Sequence, residues 1–390
     1  MSEESDRETA AVRAGVHSDE QYGAVMPPIV LSTNFTFAAV GEPRQYDYTR
    51  TANPTRDLLG DALARLEGGV GGTVTASGMA AITLACQCLN PGDLVLAPAD
   101  CYGGTFRLLT RLAARGLFRV RFIDLANPVE VDAARREPAR MVWVETPTNP
   151  LLRIIDLGAL RALADDIGAL LVVDNTFLSP ALQQPIAHGA DLVVHSTTKY
   201  INGHSDVVAG VVVARDAALH AELQAWANAL GLTGAPFDSY LTMRGLRTLF
   251  VRMRQHEANA AAIAAVLQDD PRVARVYYPG LATHPGHALA RRQQSGFGGM
   301  LSFELRDGEP AARQFLEALR LFSLAESLGG VESLCCHPAT MTHVPLGADG
   351  RKAAGIGDGL VRLSVGIEST ADLLRDVDQA LQAIGGTTRG

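Results

Sequence analysis

The chain has 390 residues, more than one hydrophobic core usually organises, so two domains are expected. Hydrophobic residues make up 47% and charged residues 19%, a balance that excludes a largely disordered chain. The net charge of -8, with acidic and basic residues mixed along the chain, argues against a nucleic-acid partner. The opening residues are too charged for a signal peptide and the apolar runs are too short to span a bilayer, which predicts a cytoplasmic protein without a membrane partner.

The first stretch of the chain, residues 1–60, is rich in proline and turn-forming residues, which predicts an arm lying across a surface. From about residue 60 to residue 215, apolar runs alternate with segments whose apolar residues recur at helical spacing. The runs are TVTAS, DLVLAP, VRFIDL, RMVWVE, ALLVVDN, DLVVHS and VVAGVVV. This alternation predicts an α/β fold with a mostly parallel, helix-covered sheet, in a large domain spanning residues 61–250.

Beyond about residue 250 the pattern becomes mixed. HEANAAAIAAVLQDD and ADLLRDVDQALQAI are predicted to be helices, whereas GGMLSFEL and GLVRLSVGIE are predicted to be strands. A smaller C-terminal α/β domain over residues 251–390 is therefore expected. The five cysteines form no C-x-x-C pair, which predicts reduced thiols and no metal site.

The motif TASGMAAI carries the first candidate site residues. In open parallel sheets, ligands bind beyond the carboxyl ends of the strands, so polar residues that close apolar runs are candidates. Ser77 and Gly78 precede a helical segment here, and the free N–H groups at a helix start suit a phosphate. A Ser-Gly pair before a helix is also common without any ligand, so both interpretations stay open at this point.

The motif VVDNTF places Asp174 at the end of a strongly apolar run. A buried carboxylate is costly unless it is paired, and a positively charged pyridinium nitrogen would be a suitable partner. The alternative is an aspartate that caps the following helix or turn.

The motif VVHSTTKYINGHSD is the most informative in the chain. Lys199 follows an apolar run among small hydroxyl residues, and a lysine crowded into such a pocket loses proton affinity and can attack an aldehyde to form an imine. The hydroxyl groups of Ser196 and Thr198 would be well placed to bind a phosphate beside it. The alternative is a strand-end lysine whose amine lies in solvent.

The motif GLVRLSVGIE contains Arg362 inside an apolar strand. An inward-pointing arginine needs an anion, either a substrate carboxylate or the acid of a structural salt bridge. Together the four motifs describe one chemistry: a phosphate at a helix start, a carboxylate for a ring nitrogen, a lysine for an aldehyde and an arginine for an amino-acid carboxylate.

The sequence resembles the cystathionine gamma-synthase group of fold-type I pyridoxal-phosphate enzymes, which belong to the Cys/Met metabolism class. The resemblance covers essentially the whole chain. It rests on YDYTRTANPTR, SGMAAI, DCYGGTFR, ETPTNPLL, VVDNTF, HSTTKYINGHSDVVAG, AESLGGVESL and LVRLSVGIE. It implies a large domain with a mostly parallel seven-stranded sheet and a C-terminal α/β domain, with pyridoxal 5'-phosphate as cofactor.

The resemblance also implies roles for individual residues. Lys199 would form the Schiff base and later move protons, Asp174 would pair with the ring nitrogen, and Tyr102 would stack on the ring. The other cofactor-binding residues would be Ser77, Gly78, Met79, Ser196 and Thr198 around the phosphate, Asn149 near the ring and its hydroxyl, and Tyr48 and Arg50 from the neighbouring subunit. Tyr48 is also predicted to be catalytic. The N-terminal arm would thus contact a neighbour, and each site would be shared within a homotetramer built as a dimer of dimers.

For the substrate, the resemblance implies that Ser327 and Arg362 hold the α-carboxylate, with Asn149 close by. Arg107 would meet the distal carboxylate of an O-succinyl group. Asp47 and Glu326 would approach the amino group of an incoming cysteine. Several members of the group carry a second arginine where Thr51 stands here, so the choice between a succinyl and an acetyl donor stays open.

The reaction that the resemblance implies is γ-replacement, in which O-succinyl-L-homoserine and L-cysteine give L-cystathionine and succinate during methionine biosynthesis by transsulfuration. The alternatives are a cystathionine or methionine gamma-lyase, an O-acylhomoserine sulfhydrylase, and a non-catalytic relative that keeps the fold as a binding module. The presence of Lys199, Asp174, Tyr48, Arg50 and Arg362 argues against the non-catalytic alternative.

Overall fold

The computed structural model describes residues 6–344 and 347–385. Parts of the predicted arm and C-terminal domain, residues 1–5, 345–346 and 386–390, lie outside the described residues. The α-helices of the described chain are α1 Arg7–Val12, α2 Pro54–Glu67, α3 Gly78–Ala85, α4 Gly103–Ala114, α5 Pro128–Ala134, α6 Leu157–Ile167, α7 Ser179–Leu182, α8 Ala217–Leu230, α9 Pro236–Leu246, α10 Leu249–Asp269, α11 His287–Gln293, α12 Gly308–Ala318, α13 Gly347–Ala353 and α14 Thr370–Gln382.

A seven-stranded sheet forms the centre of the larger part of the molecule. Its strands are β1 Gly71–Thr75, β2 Leu94–Pro98, β3 Arg119–Ile123, β4 Met141–Glu145, β5 Leu170–Asp174, β6 Leu192–His195 and β7 Gly210–Ala214. They lie in the order β1-β7-β6-β5-β4-β2-β3, and β7 alone runs antiparallel to its neighbours. The predicted apolar runs all form strands of this sheet, and the predicted fold class is confirmed.

Helices cover both faces of the large sheet. Alternate residues of a strand point to opposite faces, so Val193 packs in the same cluster as Leu63 of α2, whereas Val194 packs in the same cluster as Ile82 of α3. Strands β2, β4, β6 and β7 are buried along their whole length, as continuous apolar runs require. The carboxyl ends of β4, β5 and β6 therefore lie side by side.

A second sheet of five strands follows. Its strands are β8 Val273–Tyr277, β9 Met300–Leu305, β10 Ser323–Leu324, β11 Leu334–Cys336 and β12 Leu360–Ser364, in the order β10-β11-β12-β9-β8. Helix α10 links the two parts of the molecule, because Met253 packs in the first core while Ile263 packs in the second. A C-terminal α/β unit is present as expected, and the boundary at residue 250 stays a prediction.

The N-terminal segment has little regular structure after α1. Ala10 and Ala11 of α1 are buried in the first core, whereas large apolar side chains further along are exposed, including Tyr22, Val25 and Val40. The arm over residues 1–60 and its contact with a neighbouring subunit both stay predictions. None of the described helices is both long and apolar enough to cross a membrane.

Candidate active site

One cavity of about 630 Å³ lies at the carboxyl ends of the large-sheet strands and is closed on one side by the C-terminal part of the chain. A cavity of this size can hold a cofactor together with a small substrate. The predicted site residues that line it are Ser77, Gly78, Met79, Tyr102, Arg107, Asn149, Asp174, Ser196, Thr198, Lys199, Glu326, Ser327 and Arg362.

Lys199 follows β6 and points into this cavity. Its Nζ donates a hydrogen bond of 2.7 Å to Ser327 Oγ. Burial and the positive charge of Arg362 lower the pKa of Lys199 to about 8, while Glu326 opposes the shift. A substantial fraction of the amine is therefore neutral near physiological pH, as a nucleophile or a general base requires.

Arg362 forms the anion-binding end of the cavity. The side chain, 4% exposed in β12, donates one hydrogen bond of 3.0 Å to Asn149 Oδ1 and another of 2.9 Å to the main-chain oxygen of Ser327. It forms no salt bridge within the described residues. Ser327 has a φ of 87°, an unfavourable value for a non-glycine residue. In this conformation its hydroxyl oxygen contacts Lys199 and its main-chain oxygen contacts Arg362. Arg362 is thus a buried, oriented cation available to a carboxylate.

Asp174, which is partly buried, and Glu145, which is buried, carry carboxyl groups on adjacent strands, where they are direct partners in the β4–β5 register. Asp174 Oδ1 accepts a hydrogen bond of 3.0 Å from the Thr176 N–H, and Glu145 Oε2 accepts one of 2.8 Å from the Tyr102 N–H. Burial raises the pKa of Asp174, and burial together with Asp174 raises the pKa of Glu145 to about 8. A cation beside Asp174 would offset the cost of keeping that carboxylate ionised.

The start of α3 and the loop after β6 form the opposite end of the cavity. Ser77 caps the helix by accepting a hydrogen bond of 3.1 Å from the Ala80 N–H, which leaves the first N–H groups of α3 facing the cavity. A Cβ on Gly78 would lie 2.6 Å from Ser196 Cβ, so only glycine permits this close approach. The hydroxyl of Thr198 forms hydrogen bonds with the main chain of Ala209. The hydroxyl of Ser196 has no such bond to Ala209. The arrangement suits a phosphate.

Helix α4 brings two further predicted residues to the cavity. Tyr102 precedes the helix, and its ring lies over Gly104, where a Cβ would come within 2.4 Å of the ring. Arg107, one turn into α4, is exposed and has no hydrogen bond or salt bridge within residues 6–344 and 347–385. The cavity thus has a second arginine available to an anion.

Three predicted residues do not line this cavity. Tyr48 and Arg50 line a second cavity of about 300 Å³ beside Gly234, with the Arg50 guanidinium 5.6 Å from the centre of the Tyr48 ring. Asp47, next to them, hydrogen-bonds the Tyr48 N–H at 2.6 Å and lines neither cavity. Within one chain, therefore, these residues lie apart from Lys199.

The sequence analysis missed several residues of the cavity. Glu145 closes the apolar run of β4 just as Asp174 closes that of β5, so the same pattern would have found it. Thr176 and Phe177 lie two and three positions after Asp174, whereas Met341, Thr342 and Val344 come from a loop with no apolar pattern that would place it here.

Comparison with known proteins gives the family. The model of the Cys/Met metabolism PLP-dependent enzymes matches residues 8–382. The chain belongs to this family. Cystathionine gamma-synthase of Escherichia coli (strain K12) is 54% identical over 376 residues, which are 96% of this chain and 97% of that protein. Cystathionine beta-lyase of Lactococcus lactis subsp. cremoris (strain MG1363) is 46% identical over 374 residues, 96% of this chain and 98% of that protein.

A solved structure gives the same picture. Cystathionine gamma synthase from Xanthomonas oryzae pv. oryzae, in complex with aminoacrylate and cysteine, is 60% identical, with a TM-score of 0.96, and the match covers 97% of this chain and 98% of that one. The resemblance deduced from the motifs is confirmed, and so is pyridoxal phosphate as the cofactor.

The residues of the cavity fit this cofactor. The Asp174 carboxylate, which has no salt-bridge partner among the described residues, suits a protonated ring nitrogen, and the α3 start with Ser196 suits the phosphate. Lys199 would hold the aldehyde carbon, and the exposed face of Tyr102 is available to the ring. Neither Lys199 nor Asp174 forms a salt bridge within the described residues.

Proposed function

We propose that this enzyme catalyses γ-replacement, in which O-succinyl-L-homoserine and L-cysteine give L-cystathionine and succinate. The C–O bond at the γ-carbon breaks, and a C–S bond to the cysteine sulfur forms. The proton lost by the thiol is released together with succinate. The observation that supports this most directly is the presence of two arginines, Arg362 and Arg107, that line one cavity without acidic partners in the described chain.

Two cations suit an amino acid that carries a second carboxylate at its far end. Arg362, oriented by Asn149 and Ser327, would hold the α-carboxylate. Arg107 would hold the carboxylate of the succinyl group, which an acetyl donor lacks. Identity also favours replacement, because the two synthases are 54% and 60% identical and the beta-lyase is 46% identical.

The chain's own groups account for the proton transfers. Pyridoxal phosphate, when bound, supplies an electron sink for negative charge at the α-carbon. Lys199 Nζ, with its pKa lowered to about 8, would take the α-proton, give it up again, and only then take a β-proton before succinate leaves. Glu326, exposed at the cavity, would attract the amino group of the incoming cysteine.

The shared site and the homotetramer belong to the same proposal. Tyr48 and Arg50 line a cavity of their own and are exposed or half-exposed, which supports their action on a neighbouring subunit. Asp47 would approach the incoming cysteine by the same route.

Product analysis tests the reaction. The holoenzyme is incubated with O-succinyl-L-homoserine, with and without L-cysteine, and products are identified by mass spectrometry; we expect cystathionine and succinate. Formation of 2-oxobutanoate and ammonia from cystathionine alone would instead identify γ-elimination, and pyruvate with ammonia would identify β-elimination.

An Arg107→Leu variant tests the donor. Losing a charged hydrogen bond should lower kcat/KM for O-succinyl-L-homoserine about 10-fold or more, and that for O-acetyl-L-homoserine less than about 3-fold. Equal losses with both donors would contradict the assignment of Arg107 to the succinyl carboxylate.

A further inference from the structure

A buried polar cluster lies on the α2 side of the large sheet, behind the cavity. Its three central residues, Glu67, Asn175 and His195, are each 0% exposed. Glu67 Oε1 accepts a hydrogen bond of 2.9 Å from Asn175 Nδ2 and lies 2.6 Å from His195 Nε2. One carboxylate oxygen therefore joins residues at the ends of two neighbouring strands.

Each of these strand-end residues is adjacent in sequence to a residue of the cavity. Asn175 directly follows Asp174, and His195 directly precedes Ser196. Thr176 joins the two cavity residues directly. Its Oγ1 accepts a hydrogen bond of 3.0 Å from the Ser196 N–H, and its own N–H donates to Asp174. Glu67 thus fixes, through their chain neighbours, the positions of Asp174 and Ser196, which would contact opposite ends of the cofactor.

Glu67 has few polar partners besides these strand-end residues in the described chain. Glu67 ends α2, where the helix dipole disfavours an anion, and no arginine or lysine forms a salt bridge with it in the described chain. His195 is its one ionisable hydrogen-bond partner in that part of the chain, and both side chains are fully buried. Burial raises the pKa of Asp174, and the hydrogen bonds from Thr176 and the nearby His195 oppose that rise.

The cluster extends to the end of β4. Gln183 Nε2 donates to Asn175 Oδ1 at 3.0 Å and to the main-chain oxygen of Thr146 at 3.1 Å. Thr146 directly follows Glu145, a further residue of the cavity. All three strand ends at the cavity floor are therefore joined through one buried network.

We propose that Glu67 is a positioning residue for the cofactor. Through Asn175 and His195, its Oε1 fixes the separation between the carboxylate for the ring nitrogen and the residues around the phosphate. The ring nitrogen and the phosphate belong to one rigid cofactor and must be bound at the same time. A change in this separation therefore weakens cofactor binding even in a folded protein.

The chain offers a matched control at the opposite end of the same strands. Asp191, just before β6, accepts hydrogen bonds from the Leu171 N–H at 2.8 Å and from Arg161 at 2.9 Å, so it too ties β5 to β6. It lies at the amino ends of the strands and does not line the cavity. Its loss should reduce stability without changing the cofactor site.

The test compares Glu67→Ala, Glu67→Gln and Asp191→Ala as apo-proteins. Each is titrated with pyridoxal phosphate by absorbance, and its thermal unfolding is recorded without cofactor. We expect Glu67→Ala to raise the cofactor dissociation constant about 10-fold or more, while Glu67→Gln, which keeps the acceptor oxygen, stays within about 3-fold of wild type. Asp191→Ala should lower the unfolding temperature and leave the dissociation constant within about 2-fold.

Wild-type cofactor affinity in Glu67→Ala, or equal weakening in Glu67→Ala and Asp191→Ala, would overturn the proposal. If Glu67→Ala does not fold, His195→Leu and His195→Gln serve instead, since only glutamine keeps a donor for Glu67. Weaker binding in the leucine variant than in the glutamine variant is then expected, and equal binding would overturn the proposal.

Discussion

Lys199 shows how surroundings set the chemistry of a single side chain. The chain contains only one other lysine, Lys352, which is exposed on α13. The sequence left open whether Lys199 points into solvent. The structure places it, partly buried, beside Arg362, and within the described residues Ser327 is the one hydrogen-bond partner of its amine. Desolvation and a like charge both disfavour the ammonium form.

The first prediction concerns the titration of this amine. In the apo-protein, acylation of Lys199 by an amine reagent should rise through a midpoint near pH 8, because only the neutral amine reacts. Arg362→Leu should move the midpoint to higher pH, because it removes a cation that lowers the pKa. Mass spectrometry of the labelled peptides measures the profile, with Lys352 as the internal reference for reagent activity.

An unchanged midpoint in Arg362→Leu would show that burial alone lowers the pKa. A wild-type midpoint above about pH 10, the ordinary range for lysine, would contradict the buried position of Lys199 in the free protein.

At the scale of elements, the start of α3 must approach the loop after β6 closely. Gly78 permits this, since a Cβ there would lie 2.6 Å from Ser196 Cβ and 3.0 Å from its Cα. The start of α4 is different, because a Cβ on Gly103 would have its nearest contact at 3.6 Å, the Thr342 main-chain oxygen. Close packing therefore requires glycine at position 78 but not at position 103, although both glycines begin helices that line the cavity.

The second prediction compares these two glycines. Gly78→Ala should push Ser196 away from α3 and raise the cofactor dissociation constant about 10-fold or more. Gly103→Ala, which has room for its methyl group, should change that constant less than about 3-fold. Titration of both apo-proteins with pyridoxal phosphate measures the difference, and equal effects would argue against a phosphate site at α3.

At the scale of the whole molecule, one chain does not bring all the expected residues together. Tyr48 and Arg50 line a separate cavity together with Gly234 and Arg56, whereas Lys199 and Asp174 line the main one. The exposed apolar residues of the N-terminal segment, such as Tyr22 and Val40, lie on the same arm. A second copy that contributes its arm would complete each site.

The third prediction tests this sharing by complementation. Arg50→Ala and Lys199→Ala should each have little activity alone. When equal amounts are mixed and reassembled, about half of the dimers contain one subunit of each kind, and one of the two sites in such a dimer is intact. The mixture should therefore regain about a quarter of the wild-type activity. A chain that carries both substitutions, mixed with wild type under the same conditions, is the control for dilution. No recovery in the mixture would contradict a site shared between subunits.

Much of the fold followed from local pattern. The apolar runs of β2, β4, β6 and β7 are continuous because these strands are buried on both faces, and helical periodicity identified α10 and α14. Since parallel strands end at one edge, polar residues that close the runs were expected to meet, and Asp174 and Ser196 do.

Other features depend on contacts between residues far apart in the chain. Glu67 and His195 are 128 positions apart, as are Lys199 and Ser327, and no local pattern links either pair. The left-handed backbone of Ser327 likewise depends on the cavity around it, since serine has no intrinsic preference for that conformation.

The sequence by itself determined the fold class, because periodicity is a local property, and its motifs identified the cofactor through the family resemblance. Only the tertiary structure decided how these groups act on one another. It paired Glu145 with Asp174 across two strands, lowered the pKa of Lys199 by burial beside Arg362, and joined the strand ends through Glu67. Burial and electrostatic coupling arise from packing, so they become visible only once the chain is folded.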